Sequence, residues 1–449
     1  MSVMMKTCMA LLCASSVFTA AAQSGTSTPL PPQQWDDEVI GLFSTLPIQH
    51  EGRVKPLSTY AGFAMLKLNG KRAITVPGAP KDRTLTPMAW LLDTMFYPDA
   101  AARYKIFQIQ TTEVVAAIGV SHADKKKRDH YSYAELEPGI EKLFQLAQQY
   151  NMESEGETKN LTPVQGQIVS LASDVFEYQK ITHYLDFARY DFHIEPGSIL
   201  AELVPEPRLT AVYARETQLG VLAFVLERGV EAVDANLPPD KAAQLRASLP
   251  ASFAQLDETK RAEAASTINA LVRDAHARGG RAMGLAIFPP DKAEKENTPW
   301  LAVSDITDHM AHGDGASDAH IGQLVDAEEL TRQRDNPPAF LEQLRKLHDG
   351  VVAAAVARGE YGKIPIEVSY YNWNFFYYAL VLYVLAFVLV AISWLVPAKR
   401  WLSTTTTLLL FPPTALLITG IVYRCIIRGR PPVSTLYEVI LFVTAVAVV

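Results

Sequence analysis

Two long uncharged stretches near the end of the chain constrain its fold more than any other feature. Residues 375–396 and 402–423 each contain 22 positions and no charged side chain. A helix of that length is about 33 Å long, enough to cross a hydrocarbon core of ~30 Å. We therefore expect two membrane-spanning helices. The second should be kinked at Pro412 and Pro413, because proline removes a backbone hydrogen bond.

A third apolar stretch begins at residue 439 and continues to residue 449. Its helix would be about 16 Å long, roughly half of what a bilayer requires. We expect this stretch to be an incomplete third span and the sequence to belong to a longer protein.

The N-terminal end has the composition of an export signal. Lys6 is followed by a short apolar segment and by Ala20-Ala21-Ala22, and small residues of this kind precede cleavage sites. We predict a signal peptide over residues 1–22, a Pro- and Thr-rich linker over 23–36, an extracytoplasmic domain over 37–370 and the start of a membrane domain over 371–449. The predicted localisation is the cytoplasmic (inner) membrane, with several spans and the large N-terminal region outside.

Charge and cysteine content exclude several classes of function. Residues 397–449 carry a net charge of +4 in a chain of −7, so the preceding residues carry −11. An acidic region of this kind argues against a nucleic-acid partner. Removal of the signal would leave only Cys425, and the sequence contains neither C-x-x-C nor C-x-x-C-H. The chain is therefore predicted to be neither a thiol oxidoreductase nor itself a c-type cytochrome.

The periodicity between the linker and the first span is mostly helical. Apolar residues repeat at helical spacing after Pro56, and Thr162-Pro163 is typical of an N-cap and a first turn. We predict a long helix from Thr162 that packs on another helix, a further helix over 252–278 that stops at Gly279-Gly280, and short strands over 104–110 and 364–368. The predicted fold class is mostly α: a helical extracytoplasmic domain with minor β, followed by a polytopic α-helical membrane bundle.

Three arginines follow the second predicted span. Arg424, Arg428 and Arg430 lie outside the membrane in the predicted topology, although positive charge usually collects on the cytoplasmic side. They could pair with carboxylates of a ligand or extend to lipid phosphates. Glu438, at the start of the third span, could pair with Arg430 or contact a substrate. A structural ion pair is its expected role, because an isolated carboxylate is costly there.

A motif connects the second and third predicted spans. It consists of Arg424, Gly429, Arg430, Pro432, Tyr437 and Glu438. This pattern resembles the start of the CcsA/ResC family of cytochrome c assembly proteins, in which a helix ending in arginine precedes G-[RH]-x-P-x-x-[ND]-x-Y-E. Thr435 stands where the family has Asn or Asp. Two further stretches, LPIQHEGRVKPLSTYA at 46–61 and IEVSYYNWNFF at 366–376, resemble an N-terminal extension that some members carry.

The resemblance implies a component of c-type cytochrome biogenesis that handles haem at the membrane and presents it for covalent attachment to apocytochrome c. Apocytochrome c, a ResB/CcsB-type membrane protein and the lipid bilayer are the implied partners, and participation in a haem-attachment synthase is left open. The candidate haem-contacting residues are Arg424, Arg428, Arg430, Tyr437 and Glu438, and no catalytic residue is predicted. Haem would be handled as a substrate. The family's histidine ligands would lie beyond Val449, since no histidine follows His348.

Two other classes of function compete with this interpretation. One is a membrane-anchored extracytoplasmic binding module that recruits a partner protein and has no haem chemistry of its own. The other is a transporter of another small molecule, which would usually place ionisable residues in the middle of its spans. Both complete predicted spans lack such residues, which disfavours the transporter.

Several other polar clusters have simple interpretations. Arg53 and Lys55, beside a predicted helix start, could hold an anion, but pairing with acids is expected. The His- and Asp-rich segment 308–320 matches no metal-ligand spacing, so we predict a solvated loop and no metal. Residues 125–128 (KKKR) are predicted to form an exposed loop. An interfacial aromatic belt is predicted from Tyr370, Tyr371, Trp373, Tyr377 and Tyr378.

Overall fold

The computed structural model describes residues 30–77, 81–189, 192–206, 208–229, 257–291, 298–312, 317–395 and 400–448. The predicted signal peptide and residues 23–29 of the predicted linker lie outside these ranges. The described chain is mostly helical with minor strands, which confirms that part of the predicted fold class.

The helices and strands have the following bounds. The helices are Asp37–Thr45, Leu57–Asn69, Pro87–Phe96, Pro98–Ala101, Thr112–Ala117, Tyr133–Leu136, Ile140–Glu153, Pro163–His183, Asp186–Arg189, Ile199–Leu203, Leu209–Ala214, Glu216–Arg228, Glu258–Arg281, Val303–His312, Asp318–Arg332, Pro337–Ala357, Ile364–Trp373, Phe375–Leu395, Arg400–Arg428 and Leu436–Val448. The antiparallel strand pairs are Pro47–His50 with Arg53–Pro56, Ile74–Val76 with Arg83–Leu85, and Phe107–Ile109 with Asp129–Tyr131. The last pair contains the strand predicted over 104–110.

The chain divides into two compact units. The first unit is formed by Met1–Asp36 and Gly62–Gly284, and the second by Asp37–Ala61 and Leu285–Val449. The second unit therefore joins a segment near the N-terminus to the C-terminal helices, whereas the domains predicted from sequence follow chain order.

In the first unit, helix Pro163–His183 forms as predicted. Thr162 accepts a hydrogen bond from the N–H of Gln165, whose side chain accepts one from the N–H of Thr162, so the two residues make a capping box. The buried face of the helix packs against helix Ile140–Glu153, which confirms the predicted packing of two helices.

Helix Glu258–Arg281 continues through Gly279 and Gly280, so the predicted stop at these glycines is wrong. The helix ends at Ala282, whose N–H donates to the carbonyl of Gly279. A helical glycine costs about 1 kcal/mol relative to alanine, which is too little to end a helix that already packs along helix Glu216–Arg228. The predicted start at residue 252 lies outside the described residues.

In the second unit, Pro47–His50 and Arg53–Pro56 form a hairpin around Glu51 and Gly52. Both turn residues have positive φ, 54° and 73°, as a two-residue type I′ turn requires. Helix Leu57–Asn69 begins directly after the second strand, which confirms the helix predicted to start near Pro56.

Residues 364–368 are helical, so the strand predicted there is wrong. They begin helix Ile364–Trp373, called here the junction helix. Its β-branched residues favour a strand locally, but the buried residues Ile364, Glu367 and Tyr370 recur every three positions and share one helical face. Asn374 ends the helix with φ of 48°, a left-handed conformation that asparagine tolerates better than most residues.

Three apolar helices follow the junction: Phe375–Leu395, Arg400–Arg428 and Leu436–Val448, called here the first, second and third apolar helices. In the described chain, segments Ile364–Ile392 and Leu408–Arg428 are long and apolar enough to cross a membrane, and Leu436–Ala447 is shorter. Both prolines of the second apolar helix lie inside it. The first and second apolar helices approach closely at Gly420, where a Cβ would lie 2.9 Å from a ring carbon of Phe376.

Candidate functional site

The motif residues Arg424 and Glu438 form an ion pair between the second and third apolar helices. Arg424 Nε donates to Glu438 Oε1 over 2.9 Å, and the Glu438 side chain is only 2% exposed. A structural ion pair was predicted for Glu438, and it is present. The prediction that Arg430 is its partner is wrong. The actual partner, Arg424, lies fourteen positions before Glu438. Spacing along the sequence could not predict this pair, because the chain turns between the two helices.

The two carboxylate oxygens of Glu438 differ in their hydrogen bonding. Among the described residues, Oε2 of Glu438 is buried and has no hydrogen-bond donor. Arg430 attracts Glu438 electrostatically but its side chain is exposed. A buried polar atom without a partner is costly, so this oxygen marks a place where a proton, a water molecule or a ligand group would stabilise the site.

Thr435, at which the motif differs from the CcsA/ResC pattern that it resembles, has a clear structural role. Its Oγ1 accepts a hydrogen bond from the N–H of Glu438 over 3.3 Å, and its carbonyl accepts one from the N–H of Val439. These bonds are those of an N-cap residue. Asn, Asp and Thr all act as N-caps, so threonine preserves this function of the position.

Two tyrosines lie near Arg424. Its Cζ lies 5.4 Å from the ring centroid of Tyr437, within the range of a cation–π contact. Tyr370 of the junction helix is 8% exposed and packs with Ile427, three residues after Arg424 on the second apolar helix. The prediction that Tyr370 belongs to an interfacial belt is therefore wrong, because its ring packs inside the helices against Phe375 and Phe376. Trp373, Tyr377 and Tyr378 are exposed, as that belt requires.

Arg428 and Arg430 flank the end of the second apolar helix, and a third cation joins them. Gly429, with φ of 64°, ends that helix through its N–H bond to the carbonyl of Cys425. Lys363 Nζ lies 3.5 Å from the position that a Cβ of Gly429 would occupy. All three cationic side chains are exposed, and within the described ranges none of them forms an ion pair. Sequence reasoning missed Lys363, since 65 residues separate it from Arg428.

A second buried carboxylate is held by the N-terminal hairpin. Arg53 donates from Nη1 and Nη2 to the two oxygens of Glu367, at 2.5 and 2.9 Å, and the Glu367 side chain is 1% exposed. Hydrogen bonding to Glu367 raises the pKa of Arg53 above its ordinary value. The pair joins the two stretches that resemble the N-terminal extension. Lys55 contacts His50 and Glu51, so both basic residues pair within the protein and the alternative of an anion site is not supported.

The remaining clusters have structural roles. Residues 308–312 lie on helix Val303–His312, and Asp318 and His320 begin helix Asp318–Arg332, so the predicted solvated loop is wrong for these residues. His320 is buried between the Ser317 hydroxyl and the Pro289 carbonyl. No group of three His, Cys, Asp or Glu residues in the described ranges could hold a metal ion. Residues 125–128 form a loop, as predicted, although Lys125 is held by Glu135.

No family model matches the chain, and no curated protein matches it. The resemblance to the CcsA/ResC family therefore stays a prediction, and it depends on the residues of the motif and of the two flanking stretches.

Proposed function

We propose that this protein takes part in c-type cytochrome biogenesis, handling haem at the inner membrane and presenting it to apocytochrome c, with a ResB/CcsB-type partner. The large N-terminal region would then be extracytoplasmic. The observation that carries the proposal is the grouping of Lys363, Arg428 and Arg430 around Gly429, at one end of two helices that are able to span a membrane.

The chemistry of this grouping suits a haem. A haem is a planar aromatic ring with two propionate carboxylates, and arginine makes strong charge-assisted bonds to carboxylates. Arg424 is already engaged by Glu438, so Arg428, Arg430 and Lys363 are the cations that would contact propionates. Tyr437 is half-exposed beside Arg424 and would supply an aromatic surface. Of the candidate residues, Arg424 and Glu438 would therefore position the site rather than bind the ligand.

A porphyrin-binding experiment tests the proposal. The protein is purified in nanodiscs, and its affinity for haem, for protoporphyrin IX and for the dimethyl ester of protoporphyrin IX is measured by fluorescence quenching and absorbance. We expect the ester, which lacks the propionate charges, to bind about tenfold or more weakly, since one lost charge-assisted bond is worth about 1.5–3 kcal/mol. The variant with Lys363→Gln, Arg428→Gln and Arg430→Gln should lose that preference for the free acid.

The matched control removes two exposed cations elsewhere in the same unit. Arg345 is half-exposed and Lys346 is 66% exposed on helix Pro337–Ala357, so Arg345→Gln with Lys346→Gln should leave porphyrin affinity unchanged. Equal binding of acid and ester would contradict the propionate contacts. Failure of the unaltered protein to bind any porphyrin would favour the alternative, an anchored module that recruits a partner protein.

A further inference from the structure

A continuous series of contacts leads from the N-terminal hairpin to the third apolar helix, all within the second unit. Arg53 on the hairpin binds Glu367 on the junction helix. Tyr370 lies three residues after Glu367, on the same helical face, and packs with Ile427 of the second apolar helix. Arg424, three residues before Ile427 on that helix, binds Glu438. The contacts between different elements join residues that are distant in sequence.

The junction helix is a separate element whose direction is set by what packs against it. Asn374, with φ of 48°, interrupts the helix between Trp373 and Phe375. The junction helix contacts the hairpin strand Arg53–Pro56 and also the second apolar helix. A shift of this short helix would therefore change the packing of Tyr370 against the second apolar helix, which carries Arg424.

The hairpin holds the junction helix through a buried ion pair. Both oxygens of Glu367 accept from Arg53, and the side chain is almost completely buried. Removal of the arginine would leave a buried carboxylate without a cation, which strongly disfavours the docked position. A surface pair of the same unit, Arg345 with Glu38, is about half exposed on both sides and should matter little.

We propose that Arg53 and Glu367 are positioning residues for the site at the end of the second apolar helix: they fix the junction helix, whose Tyr370 packs on that helix and so keeps Arg424 in place against Glu438. The extracytoplasmic hairpin would thereby control the geometry at the end of the second apolar helix. The inference rests on the proposed function only for the identity of the ligand at that site, because the coupling is a property of the chain itself.

Cys425 is a built-in reporter of this coupling. It follows Arg424 directly, is partly buried, and is the free cysteine of the described chain. In a Cys8→Ser, Cys13→Ser background, the protein is held in nanodiscs and the rate of maleimide labelling of Cys425 is measured. We expect Arg53→Met to raise this rate about tenfold, since labelling of a partly buried thiol follows the population of locally open states. Arg53→Met with Glu367→Met removes both charges and should return the rate to within about twofold of the parent.

Two controls separate positioning from general loss of stability. Arg83→Met breaks a buried pair with Asp93 in the first unit, and Arg345→Met breaks the exposed pair with Glu38. Neither should change the labelling rate of Cys425. An unchanged rate in Arg53→Met would overturn the inference. A rate raised equally by Arg83→Met would overturn it too, because the effect would then be general destabilisation.

The same variants distinguish this inference from the proposed function. If the parent binds porphyrin, Arg53→Met should weaken that binding and the double variant should restore it. If the parent binds no porphyrin while Arg53→Met still exposes Cys425, the proposed function fails and the positioning role stands. Porphyrin binding together with an unchanged labelling rate would reject the positioning role alone.

Discussion

A Ser/Thr residue followed three positions later by Glu occurs at a helix start in both units, and the glutamate has different partners in each. In the first unit, Ser132 and Glu135 form a complete capping box: Ser132 Oγ accepts from the N–H of Glu135, and Glu135 accepts from the N–H of Ser132 over 2.7 Å. In the second unit, Thr435 and Glu438 have the same spacing, and Thr435 accepts from the N–H of Glu438. The Glu438 side chain, however, is bound by Arg424.

The difference shows that Glu135 bonds its own helix, whereas Glu438 joins two helices. Burial acts to raise the pKa of Glu135, but hydrogen bonds from Lys125 and Ser132 lower it below its ordinary value. Glu135 is thus a partly exposed carboxylate whose bonds hold the start of its own helix. Glu438 is buried, connects two helices and leaves one oxygen without a donor in the described chain. Glu438 therefore joins the second and third apolar helices, whereas Glu135 bonds the start of its own helix.

The largest difference in stability between the two sites is expected when the cation beside each glutamate is removed. Arg424→Gln leaves Glu438, 2% exposed, without a cation, and we expect the third apolar helix to lose about 3–5 kcal/mol of local stability. Lys125→Gln should cost less, about 1–2 kcal/mol, since Glu135 is 35% exposed and keeps its bond to Ser132, while Lys125 also loses its bond to the His130 carbonyl and its contact with the Tyr131 ring. Hydrogen exchange of helix Leu436–Val448 and of helix Tyr133–Leu136, in protein held in nanodiscs, measures both effects.

A second substitution serves as the control. Arg424→Gln combined with Glu438→Gln removes the stranded charge and should recover most of the lost protection. If the single and double variants exchange at the same rate, the ion pair does not stabilise the third apolar helix and the contrast with Glu135 disappears.

The next test compares the two capping hydroxyls. Ser132→Ala and Thr435→Ala each remove one acceptor for a helix N–H, so each should cost about 1 kcal/mol of local stability. Equal values would show that the two caps differ only in the fate of their glutamates. A much larger loss for Thr435→Ala, measured by the same exchange experiment, would mean that this hydroxyl also supports the ion pair of Arg424.

Local patterns predicted those features that depend on neighbouring residues. The cap at Thr162, the helix after Pro56 and the apolar helices all follow from short-range chemistry and hydrophobic length. Residues 364–368 were misjudged because their burial on one helical face is decided by packing against the hairpin and the second apolar helix, which no local pattern contains. The same limit explains Gly279, where packing overrides a weak helix-breaking tendency.

The sequence named candidate residues for the site but did not predict which of them contact one another. The motif identified Arg424, Arg430, Tyr437 and Glu438, yet spacing gave Glu438 the wrong arginine. Lys363 and the partner of Arg53 could not be found from spacing at all, since chain reversals bring them together from distant positions. One signal was present in the sequence. The two stretches that resemble the N-terminal extension contain Arg53 and Glu367, respectively. This basic and this acidic residue form an ion pair in the fold.

The smallest expected effect concerns the position at which the chain departs from the family pattern. Thr435→Asn introduces the family's residue at an N-cap, where asparagine is slightly better than threonine. Because the cap bond to the N–H of Glu438 is retained, the third apolar helix should change by only a few tenths of a kcal/mol, and hydrogen exchange of Leu436–Val448 should be nearly unaltered. Thr435 is exposed and makes no described contact with Arg424 or Arg430, so porphyrin affinity should stay within about twofold of the parent. A large gain in porphyrin affinity with unchanged exchange would show instead that the asparagine contacts the ligand directly.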